Sequence, residues 1–115
     1  MKKVVIFAFR GESMCFIHVL LNAIDMKEKN MEVKVVLEGE STKIIPELFS
    51  EKSTLYNLFQ KAWEMDLIAG ICKACAQKMG TLELAKQKNF TILEDMYGHA
   101  GMASFIKEGY EVITL

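Results

Sequence analysis

Two cysteines three positions apart, Cys72 and Cys75, are the side chains of this chain best suited to chemistry. They follow the apolar run Leu67–Ile71 and precede a segment of helix-forming residues, which predicts thiols where a buried strand ends and a helix begins. A helix N-terminus and the neighbouring cation of Lys73 favour the thiolate, which is the reactive form of cysteine. The pair therefore indicates sulfur chemistry, with a pair of small buried apolar residues as the structural alternative.

Two other interpretations of the pair are weaker. A thioredoxin-like redox motif would face a later proline, but Pro46, the only proline, lies upstream of the pair. A structural zinc site usually takes four ligands from paired motifs. The possible ligands are Cys72, Cys75, Cys15, His18 and His99, without a second paired motif. We therefore expect no metal, and no phosphate-loop or dinucleotide fingerprint predicts a cofactor.

The elements that must position the thiols alternate regularly between strand and helix. Predicted strands are Lys3–Phe9, Glu32–Leu37, Leu67–Ile71, Phe90–Leu93 and Tyr110–Leu115. The first helix is predicted to start at a Ser13 cap and to end at about Asn30. A short helix is predicted from Pro46 to Phe49, and a longer one starts after a cap at Ser53. The last two are predicted from Thr81 to Lys88 and from Met102 to Glu108. This alternation predicts a flavodoxin-like three-layer α/β fold with five mostly parallel strands and helices on both faces. The carboxyl edge of such a sheet is where ligands bind.

In the first half of the first predicted helix, apolar residues lie on nearly every side of the helix. Residues at helical spacing predict a core stripe of Met14, Ile17, Leu21 and Ile24. Further apolar residues lie roughly opposite that stripe, namely Cys15, Phe16 and Val19. Because monomers rarely expose large apolar patches, we expect this second side to form a subunit interface.

Size and composition describe an ordinary globular chain. The 115 residues, 51% hydrophobic and 25% charged, predict one domain over 1–115. A formal net charge of −1 predicts neither nucleic acid nor an anionic membrane surface as a partner. No apolar stretch reaches the roughly 20 residues that cross a bilayer. The early charge of Arg10 argues against a signal peptide, and three cysteines suit a reducing compartment, so we expect a cytoplasmic protein.

Two segments carry a resemblance to a known family. The segment 71–81 resembles the cysteine segment of DsrE/DsrF-like sulfur-relay proteins, and 98–114 looks like the family's last helix and strand. The resemblance implies that Cys72 is the cysteine that carries a persulfide and that Cys75 matches a second cysteine of some branches. It also implies assembly, here into a homotrimer or homohexamer, and sulfur donor and acceptor proteins as partners.

The expected function is a cytoplasmic persulfide carrier, a possible sulfur-transferase component. In it Cys72 accepts sulfur and Cys75 resolves or protects it. The alternatives are a small-ligand or protein-binding oligomeric module with incidental cysteines, and a thiol–disulfide or peroxide reductase.

Loop residues at the same sheet edge complete the predicted site. His99 is expected to point towards the cysteines, where it could move a proton or stabilise a persulfide anion. Its alternative is a solvated loop histidine. Gly98 and Gly101 are candidates to bind an anion or cofactor through backbone N–H groups, and Gly11 is a candidate to line the same crevice. Their alternative is tight packing or a turn.

Overall fold

Strands and helices alternate along the whole chain in the computed structural model, which describes residues 1–115. The strands are β1 (Lys3–Ala8), β2 (Glu32–Leu37), β3 (Ile68–Cys72), β4 (Ile92–Leu93) and β5 (Glu111–Thr114). The helices are α1 (Ser13–Glu28), α2 (Ile45–Leu48), α3 (Tyr56–Glu64), α4 (Lys73–Lys78), α5 (Leu82–Gln87) and α6 (Ala103–Lys107), with a 3₁₀ helix at Gly39–Ile44. The predicted order of elements is confirmed, and most bounds move by a few residues.

All neighbouring strands pair in parallel, in the order β4-β3-β2-β1-β5. The longest pairing joins β1 to β2, from Lys3 opposite Glu32 to Ala8 opposite Leu37. The chain moves across the sheet from β1 to β4 and then returns to the opposite edge for β5. The predicted flavodoxin-like three-layer fold is confirmed, and the carboxyl ends of all five strands meet at one edge.

The two faces of the sheet bury different sets of side chains, because successive strand residues point to opposite sides. Ile71 joins the larger core, which packs under α1, α3 and α5. Cys72, the next residue, joins the smaller core on the other face, together with Phe7 and Ala100. The ring of Phe105 in α6 meets Phe7 edge to face at 5.8 Å. The Cys72 side chain is therefore on the more thinly covered side of the sheet.

Helix α1 packs through a face that only partly overlaps the predicted one. Ile24 is buried as predicted and Ile17 packs partly buried on the core, but Met14 and Leu21 are 78% and 44% exposed. The buried stripe is Phe16, Val19, Leu20, Ala23 and Ile24. The prediction was wrong for Met14 and Leu21 because both sides of this helix are apolar at helical spacing, so periodicity alone does not select the core side. Neither α1, the longest helix, nor any other is long and apolar enough to cross a membrane.

Neither predicted serine cap is present. Ser13 is the first residue of α1 and follows the N-cap residue Glu12; its hydroxyl donates to a carboxylate oxygen of Glu47 at 2.6 Å. The Ser53 hydroxyl accepts the N–H of Leu55 at 3.1 Å, one residue before α3 begins. Both hydroxyls thus stabilise the chain near a helix start without occupying the N-cap position.

Candidate functional site

The junction of β3 and α4 positions both thiols. Cys72 is the last residue of β3 and the N-cap residue of α4, with φ −64° and ψ 121°. Cys75 lies in the first turn of α4, so its side chain returns towards the strand end. The two Sγ atoms are 2.9 Å apart, with Cys72 buried and Cys75 half-buried. The predicted placement of the pair at a strand end and helix start is confirmed.

The loop that carries His99 is a tight turn docked on α4. Met96 and His99 exchange two backbone hydrogen bonds of 2.9 Å. Tyr97 and Gly98, between them, have φ of 52° and 89°, the left-handed region in which glycine is least strained. The Gly98 carbonyl accepts the N–H of Ala74 in α4 at 3.0 Å. This bond ties the turn to the helix that begins beside Cys72.

The docked turn brings the imidazole of His99 against both thiols. Its Nδ1 lies 3.4 Å from the Sγ of Cys72 and 3.5 Å from the Sγ of Cys75. An unprotonated Nδ1 accepts a proton from a thiol, and a protonated Nδ1 donates to a thiolate. The structure therefore brings together the three predicted catalytic residues.

A fourth side chain, Glu38, belongs to the same group and was missed from the sequence. It follows the last residue of β2, is only 6% exposed, and its carboxylate has no hydrogen bond or ion pair with another residue. One ligand atom from each of Glu38, Cys72, Cys75 and His99 lies within 4.8 Å of the others. We call these four residues the thiol cluster. The sequence showed that Glu38 directly follows a predicted strand, but not the pairing of β2 with β3 that brings it beside the thiols.

Burial is the main electrostatic influence on the thiol cluster. It raises the pKa of the Glu38 carboxyl, an effect that His99 opposes and Asp95 reinforces. Burial, with the hydrogen bond to Cys72, also raises the pKa of the Cys75 thiol to about 11, although the Gly39 backbone N–H opposes this. Cys75 is therefore a protonated thiol near neutral pH, and the expectation of surroundings that favour a thiolate is wrong for this residue.

The cation expected to help the thiols lies elsewhere. The Nζ of Lys73 is 3.2 Å from a carboxylate oxygen of Glu94 at the surface. No lysine or arginine forms an ion pair with Glu38. Within the cluster, His99 is the group that opposes the rise in the pKa of Glu38.

Two of the predicted anion-binding glycines use their N–H groups inside the loop. Gly98 donates to the carbonyl of Glu94 at 3.2 Å, and Gly101 donates to the carboxylate of Asp95 at 3.0 Å. Both donors are therefore already paired. These hydrogen bonds favour the alternative of a turn, here the one that holds His99, over an anion site at the two glycines.

The remaining candidates lie outside the thiol cluster. A Cβ at Gly11 would come within 2.5 Å of Lys43 Cε, so this glycine permits close packing on the 3₁₀ helix. Cys15 and His18 line an open groove of about 490 Å³ beside the end of β5. Its other lining residues are Phe9, Arg10, Thr114 and Leu115. The third cysteine and second histidine are therefore separate from the predicted site.

Comparisons with known proteins give relatives but no activity. No protein-family model matches the chain. It is 36% identical over 98 residues to a protein of Methanocaldococcus jannaschii, covering 85% of this chain and 78% of that protein. It is also 36% identical over 52 residues to a protein of Archaeoglobus fulgidus, covering 45% of this chain and 84% of that one. Both relatives are described only as uncharacterized proteins.

Proposed function

We propose that this chain, which belongs to the same family as the Methanocaldococcus jannaschii protein, is a sulfur-relay protein that carries a persulfide on Cys72. The observation that carries the proposal is the convergence of three groups. The Sγ of Cys72 lies 2.9 Å from the Sγ of Cys75 and 3.4 Å from the Nδ1 of His99. The resemblance to DsrE/DsrF-like proteins supports the same function.

Loading of sulfur requires a thiolate on Cys72 and a persulfide donor. The thiolate attacks the outer sulfur of the donor persulfide, a new S–S bond forms on Cys72, and the donor leaves as its thiolate. Release is the reverse reaction with an acceptor thiolate, which takes the outer sulfur and regenerates the Cys72 thiolate. Neither step changes the total number of electrons, so transfer needs no redox cofactor.

His99 is the group placed to manage the proton in these steps. Its unprotonated Nδ1 accepts the proton of the Cys72 thiol, and the resulting imidazolium stabilises the sulfur anion beside it. The docking of its turn on α4 fixes the ring next to both sulfur atoms. His99 is thus a catalytic residue in this proposal.

Cys75 has a different role because it is the neighbouring thiol. As a thiol it donates a hydrogen bond to the sulfur of Cys72. Because its pKa is raised to about 11, Cys75 must first lose its proton, and His99 Nδ1 lies 3.5 Å away to accept it. The thiolate then attacks the inner sulfur of a Cys72 persulfide, which forms a Cys72–Cys75 disulfide and releases hydrosulfide. A dithiol reductant must then restore the pair. The short Sγ–Sγ distance favours this resolving reaction and makes a thiol–disulfide reductase the second candidate function.

The protein's assembly and location are part of the proposal. Met14 and Leu21 leave an apolar strip exposed on α1, which supports a homotrimer or homohexamer. The three cysteines are all free, which supports the cytoplasm. Light scattering on wild type and Leu21→Glu tests this assembly. We expect wild type to be oligomeric and the variant to dissociate, and a monomeric wild type would contradict the proposed assembly.

Intact-protein mass spectrometry after incubation with a low-molecular-weight persulfide tests the function. We expect wild type, Cys75→Ser and the control Cys15→Ser to gain one sulfur atom, and Cys72→Ser to gain none. No gain by reduced wild type would contradict the carrier. Loss of two hydrogens in place of the gain would identify the disulfide-forming reductase.

A further inference from the structure

Beyond sulfur transfer, we propose that the reduced thiol cluster binds one divalent transition-metal ion of the zinc type. The ligands are the Sγ atoms of Cys72 and Cys75, the Nδ1 of His99 and a carboxylate oxygen of Glu38. This site does not depend on the carrier function, because it needs only the four side chains and not a sulfur donor.

The donor types fit zinc. Thiolate, imidazole and carboxylate are the three side-chain ligands that Zn²⁺ takes in proteins, and structural sites have four of them. Three elements deliver them, namely the end of β2, the β3–α4 junction and the docked turn before α6. The pairing of β2 with β3, and the bond from Ala74 N–H to the Gly98 carbonyl, hold these elements together without a metal.

The distances also fit a tetrahedral ion. Zinc at its usual bond lengths would separate a thiolate sulfur from an imidazole nitrogen by about 3.5 Å. The observed Sγ–Nδ1 separations are 3.4 Å for Cys72 and 3.5 Å for Cys75. A tetrahedral site separates two thiolate sulfurs by about 3.7 Å. The 2.9 Å observed between the two Sγ atoms is shorter, so these atoms must move apart by about 0.8 Å when the ion binds.

Charge gives the third argument. Two thiolates and a carboxylate carry three negative charges when ionised, and no lysine or arginine forms an ion pair with Glu38. Lys73 is paired with Glu94 at the surface. Glu38 is 6% exposed, and burial raises the pKa of its carboxyl. A divalent cation between these groups would offset their negative charge.

Cobalt is the probe, because Co²⁺ reports its ligands through its absorption spectrum. We expect chelator-treated, reduced wild type to take up one Co²⁺ per chain, with thiolate-to-cobalt charge-transfer bands and the intense visible bands of tetrahedral cobalt. Zn²⁺ should displace it. Absence of these bands in reduced wild type would overturn the proposal.

Variants separate the four ligands from the protein's other donors. We expect Cys72→Ser and Cys75→Ser each to lose part of the charge-transfer intensity, and Glu38→Gln to weaken binding by about 10- to 100-fold. The matched controls Cys15→Ser and His18→Asn should bind as wild type does. If Glu38→Gln binds as tightly as wild type, or if either control loses the site, the assignment is wrong.

Alkylation of wild type gives a second readout that needs no substitution. We expect Zn²⁺ to protect Cys72 and Cys75 from iodoacetamide and to leave Cys15 unprotected. Equal labelling of all three cysteines with and without Zn²⁺ would overturn the site. Sulfur uptake is measured separately on metal-free protein, so failure of either proposal is visible without the other.

Discussion

At the amino end of the sheet, half-buried polar side chains form a hydrogen bond and an ion pair, whereas at the carboxyl end two thiols and an imidazole contact one another beside a buried carboxylate that has no hydrogen bond. The first group, which we call the amino-end cluster, is Lys3, Glu32 and Tyr110. The Tyr110 hydroxyl donates to Glu32 at 2.6 Å, and Lys3 Nζ lies 3.7 Å from the same carboxylate and 4.5 Å from the Tyr110 ring. In the thiol cluster, Glu38 has no such partner.

The amino-end cluster consists of side chains that stabilise the fold, whereas the thiol cluster includes a buried carboxyl group that does not. Exposed charges with partners add little to stability and cost little. Burial raises the pKa of the Glu38 carboxyl beside two thiols and an imidazole, and groups perturbed in this way cluster at functional sites. The same five strands therefore end in a structural cluster on one side and a reactive one on the other.

The largest expected effect is on the rate of sulfur uptake at the thiol cluster. His99→Asn removes the group that accepts the Cys72 proton, so we expect sulfur uptake to slow by about 100-fold or more. The matched control is His18→Asn, which changes the other histidine, exposed on α1. Time-resolved mass spectrometry measures both rates. Equal rates for the two variants would remove His99 from the mechanism.

Competition between zinc and sulfur gives the next largest effect. Because both use the thiolate of Cys72, we expect equimolar Zn²⁺ to suppress sulfur loading of wild type. Glu38→Gln should need about 10-fold more Zn²⁺ for the same suppression, since it lacks one ligand. Cys15→Ser should behave as wild type. Loading that is unaffected by Zn²⁺ would show that the two do not share a site.

The same substitution at the two ends should change stability in opposite directions. We expect Glu38→Gln to raise the free energy of unfolding of metal-free protein by about 1 kcal/mol, because burial disfavours the Glu38 charge more than the attraction of His99 favours it. Glu32→Gln should lower it slightly, because it weakens contacts with Tyr110 and Lys3. Urea unfolding of both variants in chelator measures this. A destabilised Glu38→Gln would mean that the carboxylate has a structural partner.

The smallest expected effect is the pH range over which the amino-end cluster stabilises the fold. The Tyr110 hydrogen bond lowers the pKa of Glu32, so its contribution is present above the ordinary value of 4.5 and is lost as pH falls. Burial, with the bond to Glu32, raises the pKa of Tyr110 from 10.0 to about 12, so its contribution is lost as pH rises through that range.

Tyr110→Phe should therefore be less stable than wild type between these limits, and the difference should shrink at both extremes. Tyr97→Phe is the control, because that ring is fully exposed at 101%. Urea unfolding across pH measures the difference. A constant difference from acid to alkaline pH would contradict the assignment.

The sequence predicted the two cysteines at the carboxyl end of the sheet better than it predicted which helix surfaces are buried. Apolar runs of strand length and the order of elements were sufficient for the sheet and for Cys72 at its carboxyl edge. Helix α1 was misassigned because both its sides are apolar, and only contact with the sheet selects Phe16 over Met14.

Within the site, the sequence identified residue types but not all of the neighbours. His99 was predicted because it stands in a glycine-rich loop at the same edge. Glu38 was missed because a carboxylate in a turn usually faces water, and only the pairing of β2 with β3 buries it beside the thiols. For Gly98 and Gly101 the sequence left an anion site and a turn open, because it does not show that their N–H groups donate hydrogen bonds within the loop.

Transfer of labelled sulfur to a second protein tests the central claim most directly. Metal-free protein would be loaded with radiolabelled sulfane sulfur on Cys72, freed of donor, and mixed with an excess of a reduced thiol protein. We predict that the label moves to the acceptor as a persulfide and leaves a free Cys72 thiol, and that Cys72→Ser delivers none. Label that stays on the protein, or that is released only as sulfide, would contradict a sulfur relay.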